Sequence, residues 1–143
     1  MKTSPLVLLC IASLFVFGAV PAAGDYSAPA HDTSYDVFIP ISKYLAKGDA
    51  ESLSAWFAPM LEISIFGNTN DSSKNQAKQI MRSFFNTYSP RSFVINHQAG
   101  RENMKYVLGN LNAGGEHFSV TIFASRCNSE TFLIQQLRID RIE

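Results

Sequence analysis

Leu61-Glu62-Ile63-Ser64-Ile65, then Gly67-Asn68-Thr69-Asn70-Asp71, then Ser73 through Pro90: the reading of this stretch decides the fold. The first five residues alternate apolar and polar, as a half-buried strand does, with Leu61, Ile63 and Ile65 toward the core. Gly67 to Asp71 is polar and reads as a loop. In Ser73-Lys74-Asn75-Gln76 the serine hydroxyl and the glutamine amide can each satisfy the other's exposed backbone N–H, a capping box that opens a helix. Ala77, Ile80, Met81, Phe84, Phe85 and Tyr88 then recur at three- and four-residue steps and lay one broad apolar stripe along that helix. Ser89-Pro90 ends it, because the residue before proline avoids the α region. A stripe carrying three aromatic side chains needs a large apolar surface over it, and the strands that follow are the candidate. The expected arrangement is a helix lying across a sheet.

Upstream, Asp36 to Lys47 reads as a first helix through Val37, Phe38, Ile41, Tyr44 and Leu45, with Asp36 as its cap and Pro40 tolerated within the first turn. Gly48 supplies a left-handed stop. Asp49 caps a short second helix through Leu53, Trp56 and Phe57, and Ala58-Pro59 breaks into the opening strand. Residues 24–35 carry no apolar period and read as a flexible lead-in to a single domain over 36–143. Residues 1–23 read as an export signal: Lys2, the apolar run Leu6 to Val20, and small residues near Ala22 for cleavage. Gly18, Pro21 and Gly24 interrupt that run, which argues against a stable membrane anchor of about 20 apolar residues. Cys10 follows Leu9 and sits too early for a lipid-modified cysteine. The expected location is periplasmic or secreted.

Downstream, four stretches have strand character. Ser92 to Gln98 places Phe93, Ile95 and His97 on one face. Met104 to Leu111 alternates Met104, Tyr106 and Leu108 with Lys105, Val107 and Gly109. His117 to Ser125 places Phe118, Val120, Ile122 and Ala124 together, and Phe132 to Ile142 closes the series. Asn112-Ala113-Gly114-Gly115 is a hairpin signal, and short turns between consecutive strands predict an antiparallel meander.

Composition narrows the functional classes. Lys+Arg and Asp+Glu are 12 each, and loss of Lys2 with the leader leaves the remainder about one unit negative, so no global field favours nucleic acid. With Cys10 removed, Cys127 stands alone and no internal disulfide forms. Stability then rests on the core, to which Phe at 11 positions contributes.

The order helix, helix, strand, helix and four antiparallel strands resembles the nuclear transport factor two-like superfamily, the cystatin-like α+β cone. The strings Asn68-Thr69-Asn70-Asp71, Phe84-Phe85-Asn86-Thr87-Tyr88-Ser89-Pro90-Arg91-Ser92-Phe93 and Gly109-Asn110-Leu111-Asn112-Ala113-Gly114-Gly115 are similar to those of a small family of exported Bacteroidetes proteins catalogued as a domain of unknown function with this fold. The likeness covers about Asp36 to Arg141. It implies a bent sheet wrapped around the long third helix with a pocket between them, and sheets that pair face to face as dimers. It implies no activity and carries no catalytic residues.

Enzymes on such a cone need a carboxylate or histidine in the apolar pocket, where burial tunes it for proton exchange. Most acids here fall in the lead-in, at helix starts, in turns or at the end. Only Glu62 and Asp140 lie inside strands, each opposite its apolar neighbours, so neither reads as a buried base. His97, grouped with Phe93 and Ile95, is the better histidine, whereas His117 alternates away from Phe118 and Val120. Tyr106 and Tyr88 could line the same cavity, and Gln136 with Arg138 on one face of the last strand could add polar anchors. His97, His117 and Cys127 lack metal-ligand spacing, and no cofactor is expected. Lys74, Lys78 and Arg82 form a basic line that reads as a solvated helix face.

The leading expectation is a non-catalytic exported module that binds a small ligand, a peptide or a protein partner through the cavity or the open sheet face. The alternative is a small isomerase- or dehydratase-like enzyme using His97 with Tyr88 or Tyr106. A structural homodimer through the sheet is a third reading.

Overall fold

The capping box at the start of the long helix is present in full: Gln76 N–H donates to Ser73 Oγ at 3.1 Å and Ser73 N–H to Gln76 Oε1 at 3.0 Å. In the computed structural model, which describes residues 35–128 and 131–142, the elements are α1 (Phe38–Lys47), α2 (Ala50–Ser54), β1 (Phe57–Ile65), β2 (Asn68–Ser73), α3 (Lys74–Thr87), β3 (Pro90–Gly100), β4 (Met104–Ala113), β5 (Glu116–Arg126) and β6 (Phe132–Arg141). The expected export signal and most of the lead-in fall outside the described residues. No helix among the described residues is long and apolar enough to cross a membrane.

The strands form one sheet in the order β2-β1-β6-β5-β4-β3. Every neighbouring pair is antiparallel except β1 with β6, which is parallel and brings the last strand back beside the first. This is the expected α+β architecture, with one strand more than the sequence reading. The polar segment read as a loop is β2, which pairs with β1 from Met60↔Ser73 to Ile65↔Asn68. Phe66 and Gly67, at φ of 53° and 87°, make the two-residue left-handed turn that a tight hairpin requires. β2 is an edge strand with Asn68 to Asp71 exposed, so no apolar alternation marks it.

Two further details depart from the expected boundaries. β1 begins at Phe57, and Ala58-Pro59 lies within it, at a register shift in its pairing with β6, where a proline costs no ladder bond. The N-cap of α1 is Val37 and carries no side-chain cap bond, whereas the Asp36 carbonyl accepts from Ile39 N–H at 3.0 Å. Asp49 does cap α2, accepting from Ser52 N–H at 3.0 Å.

The core lies between the helices and the inner sheet face. Ala77, Met81, Phe84 and Phe85 of α3 are buried there with Phe38, Ile41 and Leu45 of α1, against Val107, Leu111, Phe118, Val120, Ile122, Leu137 and Ile139. The stripe read from the sequence is therefore the face that packs on the sheet. At the margin of this layer the half-buried ring of Phe93 stands over Gly109, where a Cβ would lie only 2.4 Å from it.

Candidate functional site

Strand alternation decides which side chains stay outside this core. On β4 the inward set is Lys105, Val107, Gly109, Leu111 and Ala113, all buried, so Met104, Tyr106, Leu108 and Asn110 face out. On β5, Phe118, Val120, Ile122 and Ala124 face in and Phe123 faces out. On β3 the register shifts between Ile95↔Gly109 and His97↔Leu108, so Asn96 is an extra residue. Such a bulge reverses the alternation. Phe93 and Ile95 turn toward the core, while His97 shares the outer face with Leu108. The expected grouping of His97 with Phe93 and Ile95 is thereby corrected.

The outer face carries two cross-strand rows. In one, Tyr106 lies opposite Phe123, and Phe123 opposite Gln136. The neighbouring row runs His97, Leu108, Thr121 and Arg138. The rings of Tyr106 and Phe123 stack at 5.2 Å with planes 27° apart, and His97 tilts against Tyr106 at 5.8 Å. Gln136 Nε2 donates to Glu62 Oε1, and Glu62 stands on the outer face as expected. Around the rings, Val94, Met104 and Leu108 are exposed at 58%, 49% and 37%. At the β3–β4 turn, Gly100 to Met104 with Tyr106 and Phe123 enclose a cleft of about 530 Å³.

Four of the five candidate residues thus share the outer face, though not one compact site. His97 and Arg138 lie three strands apart, roughly 14 Å at ordinary strand spacing. Tyr88 is elsewhere. Its ring packs with Phe84 and Phe118 at 5.1 Å each, and its hydroxyl accepts from Arg141 Nη2 at 2.7 Å. Phe66 joins that cluster, 5.7 Å from Phe118, and the Arg141 guanidinium lies 4.6 Å from the Phe66 ring while pairing with Glu116. The space between α3 and the sheet, expected as a pocket shared by His97, Tyr106 and Tyr88, is at this end filled by Phe66, Phe84, Tyr88 and Phe118. The sequence reading passed over Phe123 and Lys105. Phe123 could have been found as the one aromatic on the polar parity of β5. Lys105 faces inward, buried, with Nζ 5.0 Å from the Tyr35 ring.

The Ser52 backbone N–H, then the Ser52 hydroxyl, hold the Asp49 carboxyl below its ordinary value of 3.8, as befits a capping anion. Among the described residues no group of three or more His, Cys, Asp or Glu side chains converges so as to hold a metal ion. What the outer face offers is contact: stacked rings with apolar neighbours, bordered by Gln136, Glu62 and Arg138.

A family model described as Domain of unknown function (DUF4783) matches residues 38–140. Among solved structures, the chain is similar to a DUF4783 family protein from Bacteroides ovatus at 26% identity, covering 72% of this chain and 93% of that one with a TM-score of 0.68. It is also similar to a cystatin-like domain of unknown function from Nostoc punctiforme, at 11% identity, 80% coverage of each chain and a TM-score of 0.63. A protein of the nuclear transport factor two-like fold from Cytophaga hutchinsonii matches at 10% identity over 80% of this chain and 94% of that one, with a TM-score of 0.56. No curated protein matches the chain.

Proposed function

The chain belongs to the family described as Domain of unknown function (DUF4783), which supplies a fold and no activity, and from that premise we propose an exported, non-catalytic module that docks a protein partner on its outer sheet face. The observation that carries this reading is the Tyr106–Phe123 stack with His97 against it and Val94, Met104 and Leu108 exposed around it. Aromatic and methionine side chains are favoured at the centres of protein interfaces, and a polar rim completes such a patch. An isomerase-like role for His97 is less favoured, because the histidine stands on an open face and not in the helix-covered interior, where burial would tune a base. Export rests on the Leu6 to Val20 run and its small-residue flank.

The test is site-specific photocrosslinking in the native cell from position 108, with position 43 on the exposed side of α1 as control. A partner adduct from 108, absent from 43 and lost in Phe123→Ser, is the expected result. Equal crosslinking from both positions, or an adduct indifferent to Phe123→Ser, rules the reading out. An adduct of twice the chain's mass identifies a second copy as occupant and overturns the heterologous partner.

A further inference from the structure

At the opposite end of β4 from the aromatic stack, Ser89, Arg91, Asn112, Gly114, Gly115 and His117 line a separate polar cleft of about 460 Å³. Two of the strings set apart in the sequence, Phe84 to Phe93 and Gly109 to Gly115, meet here. Pro90 pairs with Ala113 and Ser92 with Asn112, so Arg91 is the extra residue of a bulge. A bulge re-aims the side chain it carries, here over the β4–β5 hairpin. The Arg91 guanidinium has no acidic or hydrogen-bonding partner among the described residues. Opposite it, Asn112 and His117 are register partners across the hairpin.

The hairpin itself is held in place. Gly114 and Gly115 have φ of 61° and 81°, a turn only glycine adopts without strain. Gly114 N–H donates to Ser89 carbonyl at 2.8 Å, and a Cβ on Gly114 would lie 3.2 Å from Tyr88 Cα. The Gly115 N–H has no acceptor among the described residues. The nearby acid, Glu116, is engaged by Arg141 Nη1, so its charge is compensated at the cleft's edge. A planar guanidinium, an imidazole, a carboxamide and a free backbone N–H around one polar cleft form a donor set for an oxyanion.

We infer that this cleft binds a small polar ligand through a carboxylate or phosphate group held by Arg91. Its volume leaves room beyond the anion for a hexose-sized body, with Asn112 and Ser89 available to hydroxyls. The inference does not depend on partner docking at the far end of the sheet.

Nitrogen-15 amide spectra of the full domain, titrated with inorganic phosphate, acetate, glucuronate or sodium chloride, test it. Saturable shifts centred on Arg91, Gly114, Gly115 and His117 are expected, with a dissociation constant of about 1–10 mM for the bare anions. Arg91→Gln, at an exposed position that leaves the melting temperature unchanged, weakens binding at least about tenfold, and Lys78→Gln leaves it intact. Response to phosphate alone assigns a phosphorylated ligand, and response to acetate and glucuronate a carboxylated one. Shifts that never saturate, that match those from chloride, that persist in Arg91→Gln, or that centre on Lys74, Lys78 and Arg82 overturn the inference.

Discussion

A methyl group at Gly109 has nowhere to go: it would meet the Phe93 ring at 2.4 Å and the Val94 carbonyl oxygen at 2.7 Å. The ring is confined against the core and the carbonyl belongs to a paired strand, so neither moves cheaply. Overpacking of this kind costs about 1–3 kcal/mol. Gly109→Ala is therefore expected to lower the unfolding free energy by that amount in chemical denaturation, and an unchanged value would mean that Phe93 swings away freely. Asp49 permits a prediction with a sign. Its folded-state pKa lies below the ordinary 3.8, so its contribution is present above the unfolded value and is lost as pH falls through the folded one. Asp49→Asn keeps an acceptor for Ser52 N–H but has no proton to gain. Wild type should lose more melting temperature than Asp49→Asn between about pH 5 and about pH 3; parallel losses would remove Asp49 from the acid response.

Among the elements, the β1–β2 hairpin sets two effects against each other at Phe66. A bulky residue in the left-handed region costs about 1–2 kcal/mol, and Asn-Gly is the preferred pair for this turn. Against this, Phe66 is 37% exposed, so roughly two-thirds of the 3–5 kcal/mol lost when a buried Phe is truncated is at stake. The cation–π contact from Arg141 adds about 0.5–1 kcal/mol. Packing wins, and Phe66→Asn should destabilise by about 1–2 kcal/mol in chemical denaturation. A stabilised variant would mean that the ring contributes little to closing that end of the core. α3 shows the opposite relation between sequence and structure, since its capping box, stripe and proline stop all agree with the element observed.

At the scale of the molecule, the parallel β1–β6 pair draws the last strand to the centre of the sheet beside β5, with β1 one place in from the edge, while β2 and β3 form its edges. Amide exchange should therefore be slowest in β5 and β6 and fastest in β2, which is short, polar and paired on one side. Uniform protection across the sheet would argue against that hierarchy. The same layout separates two surfaces by the length of β4, the aromatic face near the β3–β4 turn and the polar cleft at the β4–β5 hairpin, so each can be altered without the other.

Local chemistry made much of this legible in the chain. Ser73 with Gln76, Gly48 with Asp49, the stripe from Ala77 to Phe85 and the alternation of Phe118, Val120, Ile122 and Ala124 each specify their own element within a few residues. The site was less legible because it depends on which way strands face. β4 is apolar on both parities, so the outward set Met104, Tyr106 and Leu108 has no marker, and one extra residue at Asn96 turns His97 away from Ile95. β2 carries no apolar pattern because both its faces meet water. By itself the sequence determined every element but β2, the α+β class and the candidate side chains, since short-range caps, periods and turns encode those. Only the tertiary structure decided that Phe66, Phe84, Tyr88 and Phe118 fill one end of the interior, that His97 and Tyr106 stand outside, and that Arg91 overhangs the hairpin, because bulges and register between distant strands set side-chain direction.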